Sequence, residues 1–195
     1  MSEAIRVIKA EHRSIAAVLD GMLFLVGEIR KGRMRPDFEL FKAMLHYIRA
    51  FPVKLHHPKE DQWLYRILRE RRADAAQALD ELETEHVQDR ELVAGLADAL
   101  DRYEKFGREA FDAFDNAVKD YAKFEWSHMR KEEEVILPMA EQALSADDWK
   151  AIDAAFRSNE DPIVGVRVTR EFRELFKRIV NLAPPPIGVG PEQRG

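Results

Sequence analysis

Apolar residues recur every three or four positions along almost the whole chain, and no stretch alternates with period two. A chain so patterned must bury one stripe of each helix against other helices. The first stripe is Ile5, Ile8, His12, Ile15, Leu19, Met22 and Val26, which predicts a helix from about Glu3 to Arg30. Lys31-Gly32-Arg33-Met34-Arg35-Pro36-Asp37 breaks it, with Pro36 placed to open the next helix. The second stripe carries Phe38, Phe41, Leu45, Ile48, Pro52, His56, Glu60, Trp63 and Ile67. Pro52 and Pro58 each remove a backbone donor there, so a kink or break is expected. Asp74 and Gln77 have the spacing of a capping box after the link near Arg72.

A third helix is expected from about Ala75 to Phe106, with Leu79, Leu82, His86, Val93, Leu96, Leu100 and Tyr103 inward and Gly107 at its end. A fourth, from about Arg108 to Leu144, turns Phe111, Phe114, Val118, Tyr121, His128, Glu132, Val135 and Met139 inward. Ser145 with Asp148 caps a shorter helix to about Arg157, and Asn159-Glu160-Asp161-Pro162 reads as a turn. Phe172, Leu175, Phe176, Ile179 and Val180 mark a last helix before a tail rich in Pro and Gly. The expected fold is all-α: an up-down-up-down four-helix bundle over residues 1–144, with a short helical extension and tail over 145–195. The last helix suits packing on the outside of the bundle or against a second copy of the chain, a homodimer.

Composition narrows the chemistry. The 195 residues include no cysteine, so disulfides, thiolate metal sites and cysteine nucleophiles are excluded together. Any metal must be held by His, Asp and Glu. A net charge of −5 offers no basic footprint for nucleic acid. The longest apolar run, Met22 to Val26, is far short of a membrane span. The first residues show no secretory pattern, so a cytoplasmic protein is expected.

Each long stripe nevertheless contains a histidine: His12, His56, His86 and His128. Helices joined by short turns place residues at heights counted from the shared turn. His12 and His56 lie roughly 21–23 residues either side of Arg33, and His86 and His128 each about 21 from Gly107. Glu60 and His86 stand about 12 and 14 residues either side of Arg72. All four imidazoles should therefore meet within about one helical turn of height. Glu60 follows His56 by four, and Glu132 follows His128 by four, so each pair shares a face. Ionised carboxylates in a bundle core need compensating positive charge, which a cation supplies. Imidazole with carboxylate suits iron, zinc or manganese, and the bundle setting favours two irons bridged by carboxylates. Two octahedral ions offer about twelve positions; four histidines, two bridging carboxylates and a bridging oxygen leave roughly two open.

The chain at this point resembles the hemerythrin-like family, helical bundles also called HHE cation-binding domains. The resemblance rests on Glu11-His12-Arg13-Ser14-Ile15, His56-His57-Pro58-Lys59-Glu60-Asp61, Glu83-Thr84-Glu85-His86 and the run from His128 to Pro138. It spans about Glu3 to Ala143. It implies a non-haem di-iron centre bridged by an oxo or hydroxo group, with His12, His56, His86 and His128 as terminal ligands and Glu60 and Glu132 as bridges. It also implies binding of dioxygen, nitric oxide or iron itself, for carriage, sensing or repair, and the function expected of this chain is to bind dioxygen or a related diatomic for sensing, storage or stress response. The alternative is a di-iron oxidoreductase acting on peroxide or nitric oxide, or a donor of iron for iron–sulfur cluster repair. Binding is favoured because no separate substrate pocket or general-base motif is legible.

One feature departs from the family. Oxygen-carrying members place two histidines four apart on the third helix, whereas Arg90 follows His86 by four and Asp89 takes the nearby slot. His57 is a fifth imidazole in sequence, but an α-helix turns it about 100° from His56. His46 lies away from the common level. Glu11, Asp61, Glu133 and Glu134 are expected in solvent or as acceptors for ligating imidazoles. Tyr121, Trp126 and Trp63 read as core aromatics near the site. A rival frame takes Glu83 with His86 and Glu125 with His128 as the Glu-x-x-His pairs of ferritin-like bundles; it leaves His12 and His56 unexplained.

Overall fold

The computed structural model describes residues 2–157 together with Glu174, Lys177 and Asn181. The expected turn at Asn159–Pro162, the apolar stripe Phe172–Val180 and the tail lie outside the described residues. The fold is an all-α helical bundle, and no strand occurs among the described residues. Helix α1 (Glu3–Arg30) is capped by Ser2, whose hydroxyl accepts from the Ile5 amide. Helix α2 (Phe38–Ala50) starts from Asp37, whose carboxylate accepts from the Leu40 amide, so Asp37 rather than Pro36 is the cap. The run then continues through a wide π turn, π1 (Pro52–His56), the short α3 (His57–Lys59), a second π turn, π2 (Glu60–Tyr65), and α4 (Arg66–Arg71). Pro52 thus opens a turn where the hydrogen bonding has widened and Pro58 sits in the short α3 between two such turns, and the rod does not break.

After a single 3₁₀ turn (Ala73–Ala75), α5 (Ala76–Phe106) runs to Gly107, whose φ of +62° only glycine takes readily. The expected capping role of Asp74 is not seen; its carboxylate instead accepts from the Arg72 guanidinium at 3.0 Å. Helix α6 (Arg108–Lys131) leads into a third π turn, π3 (Glu132–Ile136), then α7 (Leu137–Ala143) and α8 (Ala146–Arg157). Ser145 and Asp148 do form the expected reciprocal cap: the Ser145 amide donates to Asp148, and the Asp148 amide to the Ser145 hydroxyl.

Helix α1 packs against α2 and α6, and α5 against α2 and α6, which is the square of an up-down-up-down bundle. Its apolar interior is divided in two. One cluster gathers the far half of α1 with α2, the far half of α5 and most of α6, around Phe41, Tyr47, Phe51, Phe114 and Tyr121. The other joins Ala4, Ile5 and Ile8 to α4, the start of α5, α7, and Ile152 and Phe156 of α8. Between them lies a layer of buried polar side chains.

The π turns shift the inward stripe. Each wide turn takes up an extra residue, so a 3.6-residue count misses by one inside it. Trp63, expected inside, is 36% exposed while Leu64 is buried; Val135 is 43% exposed while Ile136 is buried. Trp126 also lies at the surface, 36% exposed, rather than in the core.

Candidate metal centre

The polar layer is built by one turn from each rod. His12 from α1, His56 from the end of π1, His86 from α5 and His128 from α6 are all at most 3% exposed, and Glu60 and Glu132 at most 1%. The expected convergence of height is met. The His12 and His56 rings stand 5.1 Å apart, and those of His86 and His128 4.7 Å apart. The two pairs face each other across the carboxylates. His12 Nε2 lies 3.2 Å from Glu132 Oε2 and 3.9 Å from Glu60 Oε1, with His56 Nε2 3.3 Å from Glu60 Oε1. On the other side His86 Nε2 is 3.7 Å from Glu60 Oε2 and His128 Nε2 3.7 Å from Glu132 Oε2. Each carboxylate therefore spans both histidine pairs. Two four-residue sets result, His12-His56-Glu60-Glu132 and Glu60-His86-His128-Glu132, each with one donor atom per residue within 4.8 Å of the rest.

The outer faces of the same imidazoles are committed. His12 Nδ1 meets Glu133 at 2.9 Å, His56 Nδ1 meets Glu11 at 2.7 Å, His86 Nδ1 meets Asp61 at 2.8 Å and His128 Nδ1 meets Glu85 at 2.9 Å. A neutral imidazole that donates from Nδ1 has a lone pair at Nε2. The Nε2 atoms of His86 and His128 then face each other at 3.0 Å as two lone pairs, which repel unless a proton or a metal cation lies between. Two nitrogens at right angles on an ion with bonds of about 2.1 Å stand about 3 Å apart, so the spacing fits shared coordination. His12 Nε2, His56 Nε2, both oxygens of Glu60 and Glu132 Oε2 are buried without a well-formed hydrogen bond. This donor set fits a pair of cations, which would satisfy the atoms left without partners.

Protons take the place of missing positive charge in the bare protein. Burial works to lower the His12 imidazole, but hydrogen bonds to Glu132 and Glu133 prevail and lift it to about 9. Burial, then the charge of Glu132, pushes Glu60 well above the carboxylate range. Burial would raise Glu132 too, but His128 and His12 hold it well below. Burial, followed by the charge of His12, drives His56 far down, so it stays neutral. Glu11 rises to about 8 through burial, so it and His56 hold one proton between them over their 2.7 Å contact. Metal binding would settle that proton on Nδ1 and displace the one on His12.

Some site residues were not legible as such. Tyr65, displaced inward by π2, donates its phenol to Glu132 and stacks on His86 with rings 5.7 Å apart. His57 is not turned away: it is 3% exposed and stacks on His86 at 4.2 Å. The inward sector of a bundle helix is itself about 100° wide, and the π turns on either side of His57 bring it within that sector. Glu11, Asp61 and Glu133 act as imidazole acceptors as expected, and Glu85 is a fourth that was not foreseen. Glu83, required by the ferritin-like frame, pairs instead with Arg69 at 3.0 Å near the surface. Glu125 is fully buried, but its neighbours are His57 and Asp89.

An open cleft of about 340 Å³ reaches His12 from outside, between α1 and the end of α6, lined by Arg13, Ala16, Trp126, Met129, Arg130 and Glu133. No described helix is long and apolar enough to cross a membrane. In comparisons with known proteins, the family described as the Hemerythrin HHE cation binding domain matches residues 3–140. No curated protein and no solved structure matches the chain.

Proposed function

Because the chain belongs to the hemerythrin HHE cation-binding family, we propose that the polar layer holds two irons and that the protein binds dioxygen or a related diatomic. His12 and His56 hold one ion, His86 and His128 the other, and Glu60 and Glu132 bridge them, with an oxo or hydroxo group as third bridge. The observation that carries this reading is the 3.0 Å approach of the His86 and His128 Nε2 atoms while both Nδ1 atoms face carboxylates. Bound irons would supply redox capacity and open positions for a small ligand such as dioxygen or nitric oxide. The chain's own part is to fix the imidazoles from behind, through Glu133, Glu11, Asp61 and Glu85. The apolar clusters above and below the layer keep bulk water out, and the cleft beside His12 is a route for a small molecule. Binding suits sensing, storage or a stress response.

An oxidoreductase acting on peroxide or nitric oxide, or a donor of iron for cluster repair, is the second reading. One observation favours it: Tyr65 is an oxidisable phenol bonded to a bridging carboxylate. Aerobically purified protein should contain about two irons per chain and a visible oxo-bridge band. Near-absent iron would defeat the proposal. Stopped-flow mixing of reduced protein with oxygen separates the readings: a reversible oxygenated spectrum supports binding, and rapid irreversible oxidation with catalytic peroxide loss supports the enzyme.

A further inference from the structure

The outward nitrogens of the four proposed ligands each meet a carboxylate at 2.7–2.9 Å, and a fifth histidine faces one at longer range. His57 points its Nδ1 at a buried carboxylate, Asp89, over 3.5 Å. Its ring lies almost parallel to His86, 13° between planes at 4.2 Å, and edge-on to His128 at 5.4 Å. One ring nitrogen from each of His57, His86 and His128 falls within 4.8 Å of the other two. His57 Nδ1 faces Asp89, so Nε2 is the nitrogen left to offer a lone pair.

Asp89 does not stand alone: Glu125 is buried with it, and one donor atom from each of His57, Asp89 and Glu125 lies within 4.8 Å of the other two.

We propose that His57 is a fifth imidazole ligand of the centre, joining His86 and His128 on the second ion, with Asp89 and Glu125 behind it as the pair that orients it. This rests on the two-ion reading above. It makes the two ions unequal, two imidazoles on one and three on the other, and leaves roughly one of about twelve coordination positions open instead of two. A centre with a single open position suits one small ligand held at one ion. The ligand that Arg90 fails to provide on α5 comes instead from the residue after His56.

The test uses the full chain loaded with cobalt(II), whose paramagnetism shifts the Nδ1 protons of coordinated imidazoles far outside the normal proton NMR range. Five such solvent-exchangeable resonances are expected with two cobalt ions bound. Four resonances with two ions bound would overturn this inference and leave the two-ion reading intact. No cobalt binding would overturn both. Three ions per chain would assign His57 to a separate ion with Asp89 and Glu125, and would also overturn it. His57→Gln should remove one resonance and weaken the second cobalt by at least about 10-fold, with the first unaffected. An unchanged two-step titration in that variant would refute the assignment. The wild-type count decides the matter even if the variant fails to fold.

Discussion

At Glu132 the demands of three neighbours meet: His12, His128 and the Tyr65 phenol all approach the one carboxylate. Its removal should therefore do more than thin the ligand set. Glu132→Ala is expected to lose both irons, whereas Glu83→Ala, which breaks only a surface pair with Arg69, should retain both; iron per chain by elemental analysis checks this. Retention of iron in Glu132→Ala with loss in Glu83→Ala would restore the ferritin-like frame. The carboxylates behind the imidazoles act at one remove. Glu85→Gln keeps the size of the acceptor for His128 Nδ1 but removes its charge, and should weaken iron about 10–100-fold in a chelator competition without changing the number of sites. Of these outer groups, the sequence pointed to Glu11, Asp61 and Glu133 through their nearness to ligands in the chain. Glu85 stands equally near His86 in the chain, and all four carboxylates turn out to serve an imidazole on another helix, a pairing that only the packing sets.

The π turns are the feature of the elements that pattern reading could not supply. Helical periodicity located α1 and α5 closely, because their stripes run without interruption and end at Lys31-Gly32 and Phe106-Gly107, and it gave the extent of the fourth rod but not the π turn within it. It failed by one residue within π2 and π3, at Trp63 and Val135, since nothing in the composition announces an extra residue in a turn, while Ile67 beyond π2 is buried as expected. Leu64→Ala should then cost about 2–5 kcal/mol in denaturant unfolding, as a buried leucine does, and Trp63→Ala less than about 1 kcal/mol. Equal costs would contradict the slip. At the start of α8, Arg71 and Ser145 hold Asp148 well below its ordinary carboxylate range. A depressed value in the folded state gives stability that is present above the unfolded value near 4 and disappears as pH falls through the folded one. Asp148→Asn should lower the melting temperature by about 2–4 °C at neutral pH, through a loss of about 1 kcal/mol, and the gap should begin to narrow below about pH 4 and close only as pH falls through the folded value. A gap that does not narrow at all below about pH 4 would mean that charge plays no part.

For the whole molecule, the polar layer is where the four rods would be tied or left apart. Its donors come from α1, the π-containing second rod, α5 and α6, so bound ions cross-link every pair of neighbours. Stripping the metal with a chelator should lower the melting temperature by roughly 10 °C, from about 4 kcal/mol of binding energy at a thousandfold excess over the dissociation constant. A chelated protein that melts unchanged would place the ions outside the folding equilibrium. The sequence by itself determined the helical class, the order of the rods and the shared height of His12, His56, His86 and His128. Those properties follow from periodicity and from counting along regular helices between turns, which are local. Tertiary structure alone decided which way His57 faces, which carboxylate stands behind each imidazole, and that Tyr65 rather than Trp63 reaches the centre. Those depend on the rotation of one rod against another and on where a helix widens, and no single segment encodes either.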